Sequence, residues 1–589
     1  MSLDTMLEAK PASPRMLALR LGAGLAQGLA ALVLIHQFWI KPFPEDWNWA
    51  ISGAMAAVLV TPLIFMGGLG TLRRATLTIW TLAAALIAAA LGGYAYWAHL
   101  ASIRGGDFPV LALSGVVLFF IAHHLISAAD EDRKLVAGYP TYFDGAWKHG
   151  VQLALSLAFT AVFWGLLFLG AGLFKLIGID ALLKLYDHDW FHIPATTLAF
   201  AAAVHLTDVR VGLIRGVRTV ALVLLSWLLP LLTLIAAAFL LTLPFTGLKP
   251  LWDTKASTAV VLTAAALLIV LINAAYQDGR PESPPAAVLR WAARIAGVLI
   301  APLVVIAGYG LILRIGQYGL TPERVYAAAC VMLASVYAVG YLAAAVRPRP
   351  WMKTLEPTNV AAAALTVLLI LALATPVADP SRVSVDDQMA RITSGRTKVA
   401  EIDYAFFGSQ SGQYGVAALK TLQARGGDVG VRATDALAGK YQPAAPVKPL
   451  IFNVYPKGAV LPEGFLVDGR LPNSAICMSQ EHACDLYVLD IDGDGRPEVA
   501  VDENNYGSLY VYQTQTAGGW GQVATLDLCA AGGKEALKAG TFKTVPSRWS
   551  EVEIGGRRFA VTPPMNCDPL VSSTPASTPK VEAAAPIER

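Results

Sequence analysis

The densest set of hard ligands in the sequence is Leu489-Asp-Ile-Asp-Gly-Asp-Gly-Arg-Pro-Glu-Val499. Asp490, Asp492 and Asp494 fall at positions 1, 3 and 5 of a loop, and Gly495 at position 6 permits a sharp turn. The Arg496 carbonyl and the Glu498 carboxylate can then complete an oxygen cage suited to Ca²⁺. An EF-hand needs Glu at position 12, where Val501 stands, so this is not an EF-hand. The flanks alternate in polarity as strands do, which predicts a strand–loop–strand unit. The competing reading is an acidic hairpin turn that needs no metal, and any bound Ca²⁺ is expected to be structural.

A second set lies in apolar surroundings, where polar groups are costly and often functional. It comprises His123, His124, His149, His205, Asp208, Asn273, Tyr276 and Asp278. All fall toward one side of the membrane in the topology below and are expected to converge on one polar site. The alternative is that they only satisfy helix ends or face headgroups. His188 and His192, four apart beside Asp187 and Asp189, have the spacing of metal ligands on a helix, but no Glu follows the first histidine. Glu45 and Asp46 form an acidic pair of the kind that lipid-linked glycosyl transfer uses. No phosphate-binding Gly-Lys-Ser/Thr loop and no Gly-x-Ser-x-Gly elbow occurs, so no catalytic residue is assigned.

The elements that carry these residues follow from composition. Of 589 residues, 55% are apolar and only 15% charged, with a mean hydropathy of +0.53. Soluble proteins carry about 25% charge, so a soluble enzyme, a disordered chain and a basic nucleic-acid binder are excluded. A spanning helix needs about 20 apolar residues. Eleven runs qualify: 21–40, 49–69, 76–97, 108–127, 150–173, 191–207, 219–243, 257–276, 291–313, 325–345 and 359–377. The sixth is the shortest and is expected to be tilted, re-entrant or broken. With the N-terminus inside, inner loops hold 16 Lys and Arg against 8 in outer loops, as the positive-inside rule asks. Without the sixth run that bias vanishes.

From Asp379 onward the chain carries 20 Lys and Arg against 24 Asp and Glu and reads as soluble. An odd number of spans puts it outside. Cys477, Cys484, Cys529 and Cys567 all lie there, an even number that suits disulfides, with Cys477–Cys484 and Cys529–Cys567 favoured as local loops. The expected order is a cytoplasmic segment 1–20 and a transmembrane bundle 21–378. A periplasmic helical segment 379–445, a β-rich module 446–570 and a disordered tail 571–589 follow. The fold class is thus an α-helical polytopic bundle followed by a small, disulfide-stapled α+β domain.

Several stretches carry a resemblance: Ala203-Val-His-Leu-Thr-Asp208, Leu271-Ile-Asn-Ala-Ala-Tyr-Gln-Asp-Gly279, Asp403-Tyr-Ala-Phe-Phe and Ser411-Gly-Gln-Tyr-Gly-Val-Ala-Ala-Leu-Lys420. Over roughly residues 15–440 the chain resembles the bacterial membrane family called domain of unknown function 4153. The resemblance implies a polytopic inner-membrane protein and supplies no catalytic residues. The acidic loop is similar to one repeat of FG-GAP and integrin-type propeller blades, but a single copy builds no propeller. The expected function is a transporter or permease in a bacterial inner membrane, with an external calcium-stabilised domain. An envelope sensor or scaffold is the alternative, and an enzyme acting on a lipid-linked substrate the third choice. The expected partner is the lipid bilayer, with no nucleic acid.

Overall fold

The computed structural model describes residues 13–39, 47–100, 108–209, 211–248, 251, 257–280, 285–347 and 350–440. It also describes 452–466, 471, 484–502, 508–515, 519–528, 533–544, 552–554 and 557–559. The chain divides into two compact units, Met1–Ala444 and Ala445–Arg589. The first is helical: α1 (Pro14–Trp39), α2 (Asn48–Gly68), α3 (Arg74–Ala95), α4 (Phe108–Asp132), α5 (Tyr139–Leu176), a short α6 (Ala181–Tyr186) and α7 (Asp189–Val209). Then come α8 (Val211–Thr246), α9 (Ser257–Tyr276), α10 (Ala287–Tyr318), α11 (Pro322–Val346) and α12 (Leu355–Leu373). Among the described residues, ten of these are long and apolar enough to cross a bilayer, so this is a multi-pass membrane protein.

The sixth apolar run becomes α7, which is not among the ten. It is one continuous helix of 21 residues, about 31 Å long at 1.5 Å per residue. His192, Pro194, His205 and Asp208 dilute its apolarity. It lies antiparallel to α1 through a glycine groove. A Cβ on Gly24 would come within 2.7 Å of the Ala201 Cβ, and one on Gly28 within 2.7 Å of the Pro194 Cα. Small residues four apart on one face let two helix backbones approach this closely inside a bilayer.

Two packed lobes result. In one, α8, α9, α10 and α11 close around Leu268, Ile272, Ile300, Leu303 and Tyr341, all essentially inaccessible. In the other, α2, α3 and α4 meet around Trp80, Ala84, Ala88, Leu118 and Phe119, with Ile370 and Leu371 of α12 against them. Ion pairs join helix ends that the alternation of the chain brings to the same side. Arg20 pairs with Asp208 at 2.9 Å, Arg73 with Asp130 at 2.6 Å, and Arg218 with Asp144 at 2.6 Å.

Three helices follow in the same unit: α13 (Pro380–Thr393), α14 (Gly412–Gln423) and α15 (Gly427–Leu437). They enclose a small core of Phe407, Leu419, Leu422 and Ala433. They also cap a helix end. The last carbonyls of α10 have no intrahelical donors. Arg391 donates to Gln317 O at 3.0 Å and Gln388 to Tyr318 O at 3.1 Å.

The second unit is a five-stranded sheet in sequence order: β1 (Phe452–Tyr455), β2 (Cys484–Leu489), β3 (Glu498–Val501), β4 (Ser508–Thr514) and β5 (Trp520–Asp527). The first pair is parallel and the rest antiparallel. Side chains alternate between faces with period two. Leu486, Val499 and Val501 enter one core, and Tyr487, Leu489 and Ala500 the other. Also present are α16 (Gly533–Ala539) and a hairpin of β6 (Val552–Ile554) and β7 (Arg557–Phe559). Cys477, Cys529, Cys567 and the tail 571–589 lie outside the described residues, as do Glu45 and Asp46.

Candidate functional site

His123 and His124 are neighbours on α4, so their side chains leave the helix about 100° apart. His123 faces α3, where the Trp80 indole N–H donates to its Nδ1 at 3.2 Å. His124 faces α5. Its Nδ1 is 2.5 Å from the Phe120 carbonyl one turn back, and its Nε2 is 2.9 Å from His149 Nδ1. The three rings form a cluster with centroids 5.0 to 5.8 Å apart. His123 and His124 are buried. The His123 Nε2 is buried with no hydrogen-bond partner among the described residues.

The trio forms part of the wall of a cavity of about 900 Å³ between α1, α2, α3, α4, α5, α7 and α12. Most of its lining is apolar, including Met55, Leu59, Leu63, Val116, Phe119 and Phe200. The cavity also reaches Tyr94 and His99 at the far end of α3, where a π turn, Tyr96–Leu100, closes the helix. Trp80, which holds His123, and Tyr94 are fourteen residues apart on α3, about 21 Å along the axis. The cavity wall therefore covers more than half of a hydrocarbon core about 30 Å thick.

A second polar group sits at this far end. Asp379, fully buried, is the N-cap of α13, its Oδ1 accepting from the Ser381 and Arg382 backbone N–H groups. Its Oδ2 accepts from Tyr94 Oη at 2.7 Å and lies 3.1 Å from His99 Nε2. Tyr94 Oη in turn meets Tyr414 Oη at 2.9 Å. Burial pushes the Asp379 carboxyl up, but the hydrogen bond and charge of His99, with Tyr94 and the Arg382 N–H, hold it below the usual range. His99 Nδ1 is buried and has no partner among the described residues. Gly412 of α14 is pressed against the Ala98 carbonyl, a position where any Cβ would overlap. The Ser411-Gly-Gln-Tyr stretch thus seals the cap onto the π turn.

The other expected membrane residues do not join the trio. His205 and Asp208 gather around Arg20, with His205 Nδ1 3.4 Å from its guanidinium and Lys148 at 3.7 Å from Asp208. Asn273 belongs to a closed net in the packed lobe. Its Oδ1 accepts from Tyr139 and from Asn359, its Nδ2 donates to Tyr341 at 2.7 Å, and Tyr341 donates to Asn359 Oδ1 at 2.8 Å. Tyr276 donates to Glu356 at 2.8 Å, and Asp278 pairs with Arg280 at 3.1 Å. The eight residues form separate polar groups instead of one site. Sequence reasoning missed His99, Asp379, Tyr94 and Asn359; the Asp379-Pro380 step, an N-cap followed by proline at N1, is the signal that points to Asp379. His192 lies 3.8 Å from Asp189, and His188 stacks on Trp190.

In the second unit the acidic loop joins β2 to β3, with Gly493 and Gly495 at positive φ. Asp490, Asp492 and Asp494 are exposed, and ligand oxygens of all three lie within 4.8 Å of one another. Hard carboxylate oxygens in this arrangement fit a Ca²⁺ ion. Glu498 is turned elsewhere: its side chain is buried, accepting from the Ile491 N–H at 2.7 Å and from Gln513 at 3.2 Å. Arg496 donates its backbone N–H to Asp494 at 2.6 Å.

No curated protein and no solved structure matches this chain. The model of the family described as Domain of unknown function (DUF4153) matches residues 28–422, from within α1 to within α14, and so covers the cavity, the histidine trio and the Asp379 cap but not the sheet. The chain belongs to the DUF4153 family.

Proposed function

We propose that this protein binds a long-chain amphiphile inside its bundle, in the manner of a lipid carrier or permease. The observation that supports this is the cavity itself: apolar along most of its wall and bounded at separate levels by His123 and His99. A carrier of ions or sugars needs polar lining throughout, and a scaffold needs no hollow. Protein purified in mild detergent is expected to retain about one long-chain lipid per chain. Leu59→Trp with Val116→Trp, two partly exposed wall positions, should expel it. Finding no bound lipid in the wild type, or equal amounts in both proteins, would reject this reading.

We further propose that α7 is an eleventh pass, which places the N-terminus in the cytoplasm of a bacterial cell and residues 379–589 in the periplasm. The excess of Lys and Arg in the inner loops and the antiparallel seating of α7 on α1 support this. A reporter fused at residue 345 should read the cytoplasm and one fused after Arg589 the periplasm; the reverse assignment is what ten passes would give and would reject α7 as a pass. For the second unit, the proximity of Asp490, Asp492 and Asp494 supports a structural Ca²⁺ site. Asp492→Ala with Asp494→Ala should abolish a Ca²⁺-dependent rise in melting temperature; an identical rise in the variant removes the proposal. The even number of cysteines after residue 445 supports the disulfides Cys477–Cys484 and Cys529–Cys567, with Cys330 free. Alkylation with and without reductant counts the thiols.

A further inference from the structure

We infer that the histidine trio recognises an uncharged polar headgroup, a hydroxyl or a carbonyl on a long-chain lipid, with His123 Nε2 as donor. This inference rests on the reading of the cavity as a lipid site, and adds what the lipid must carry.

One hydrogen bond fixes where His123 holds its proton. An indole can only donate, so Trp80 makes His123 Nδ1 an acceptor and leaves the proton on Nε2. His124 is turned inward, onto the Phe120 and Gly145 carbonyls and His149 Nδ1. The trio thus offers the cavity one unpaired N–H, that of His123 Nε2. The flanking Lys148 and Arg20 both turn to Asp208, at 3.7 and 2.9 Å. A phosphate or carboxylate hydrogen-bonded to imidazole would lose its water without a directly paired cation.

The unpaired donor is buried against a glycine. His123 is 6% exposed, and its buried Nε2 has no partner among the described residues. Opposite it stands Gly67 of α2, which also lines the cavity. A Cβ there would lie 3.5 Å from His123 Nε2 and 3.8 Å from Cε1. That is ordinary contact, so a methyl at Gly67 fits without strain while covering the donor.

The test compares two lipids with identical chains on the full-length protein: dioleoylglycerol, which ends in a hydroxyl, and dioleoyl phosphatidic acid. Equilibrium binding of the radiolabelled lipids is measured for wild type, Gly67→Ala and His123→Phe. The wild type should prefer dioleoylglycerol by roughly tenfold, the size of one buried hydrogen bond. Both variants should still bind while the preference falls toward unity. Gly67→Ala keeps the test valid where His123→Phe fails to fold. Equal binding of the two lipids by wild type, preference for phosphatidic acid, or a preference that survives Gly67→Ala each overturns the headgroup assignment while the cavity reading stands. Failure to bind either lipid overturns both.

Discussion

The two lobes of the bundle differ in what lies between their helices. Beside α8 to α11, Asn273 and Tyr341 form a closed net with Tyr139 of α5 and Asn359 of α12, walled by Leu268, Ile272 and Ile300. Among α1 to α5 and α7 the helices leave a cavity of about 900 Å³, and two imidazole nitrogens of its wall residues, on His99 and His123, have no partner among the described residues. A buried unpaired polar group costs about 1–3 kcal/mol. A net that closes on itself is structural. Groups left open beside a hollow are paired only when something enters it.

Five substitutions break or sharpen that contrast. The largest effect is expected from Asn359→Leu, which removes the acceptor of the Tyr341 hydroxyl proton and one bond to Asn273. It should lower stability by about 3 kcal/mol, whereas His123→Phe, which leaves only the Trp80 N–H unpaired, should cost about 1 kcal/mol. Thermal unfolding in detergent measures both, and equal losses would erase the distinction. Next is Gly340→Ala in α11, whose methyl would collide with the buried Thr358 side chain, for a loss of about 2 kcal/mol. Retention of the wild-type melting temperature there would mean the packed lobe has slack.

The Asp379 carboxyl is held below its ordinary pKa. Its contribution is therefore fully present above the ordinary carboxylate range and lost as pH falls through its lower folded value. Limited proteolysis between pH 6 and pH 3 should show residues 380–437 released as acid protonates Asp379. Asp379→Asn should weaken the cap by about 1–2 kcal/mol and flatten that dependence; an unchanged acid limb would assign it to other carboxylates. The smallest effect has the opposite sign. Gly67→Ala should stabilise α2 by about 0.5–1 kcal/mol, because alanine loses less backbone freedom and the hollow has room for it. A loss instead would show that Gly67 is needed for packing.

The bundle was largely legible because hydrophobic length is written directly in the chain: ten apolar runs became ten helices that can span. The polar residues were legible one by one but not in their grouping. Sequence position tells how deep a residue lies along a helix. Which neighbour it meets depends on rotation about the axis, and that is decided by packing. Hence His205 lies beside Arg20, and Asn273 beside Tyr341, instead of both joining His123. His99 and Asp379 stand 280 residues apart, and only a π turn and a cap bring them to 3.1 Å. In the acidic loop the spacing of the three aspartates carried over to the structure, while Glu498 follows the strand alternation into the core and spends its oxygens on Ile491 and Gln513.

The groove on α1 bears on how the protein is made. Insertion machinery admits helices by their apolarity, and α7 carries His192, Pro194, His205 and Asp208. Its entry then depends on a receiver already in the membrane, and Gly24, Gly28 and Arg20 of α1 supply one along its length. A bulky residue at Gly24 or Gly28 would unseat α7 and, with it, Phe200 and Val204 of the cavity wall. In the proposed eleven-pass topology every later helix would then be threaded the wrong way round, so two glycines near the start of the chain would act as proofreaders of that topology.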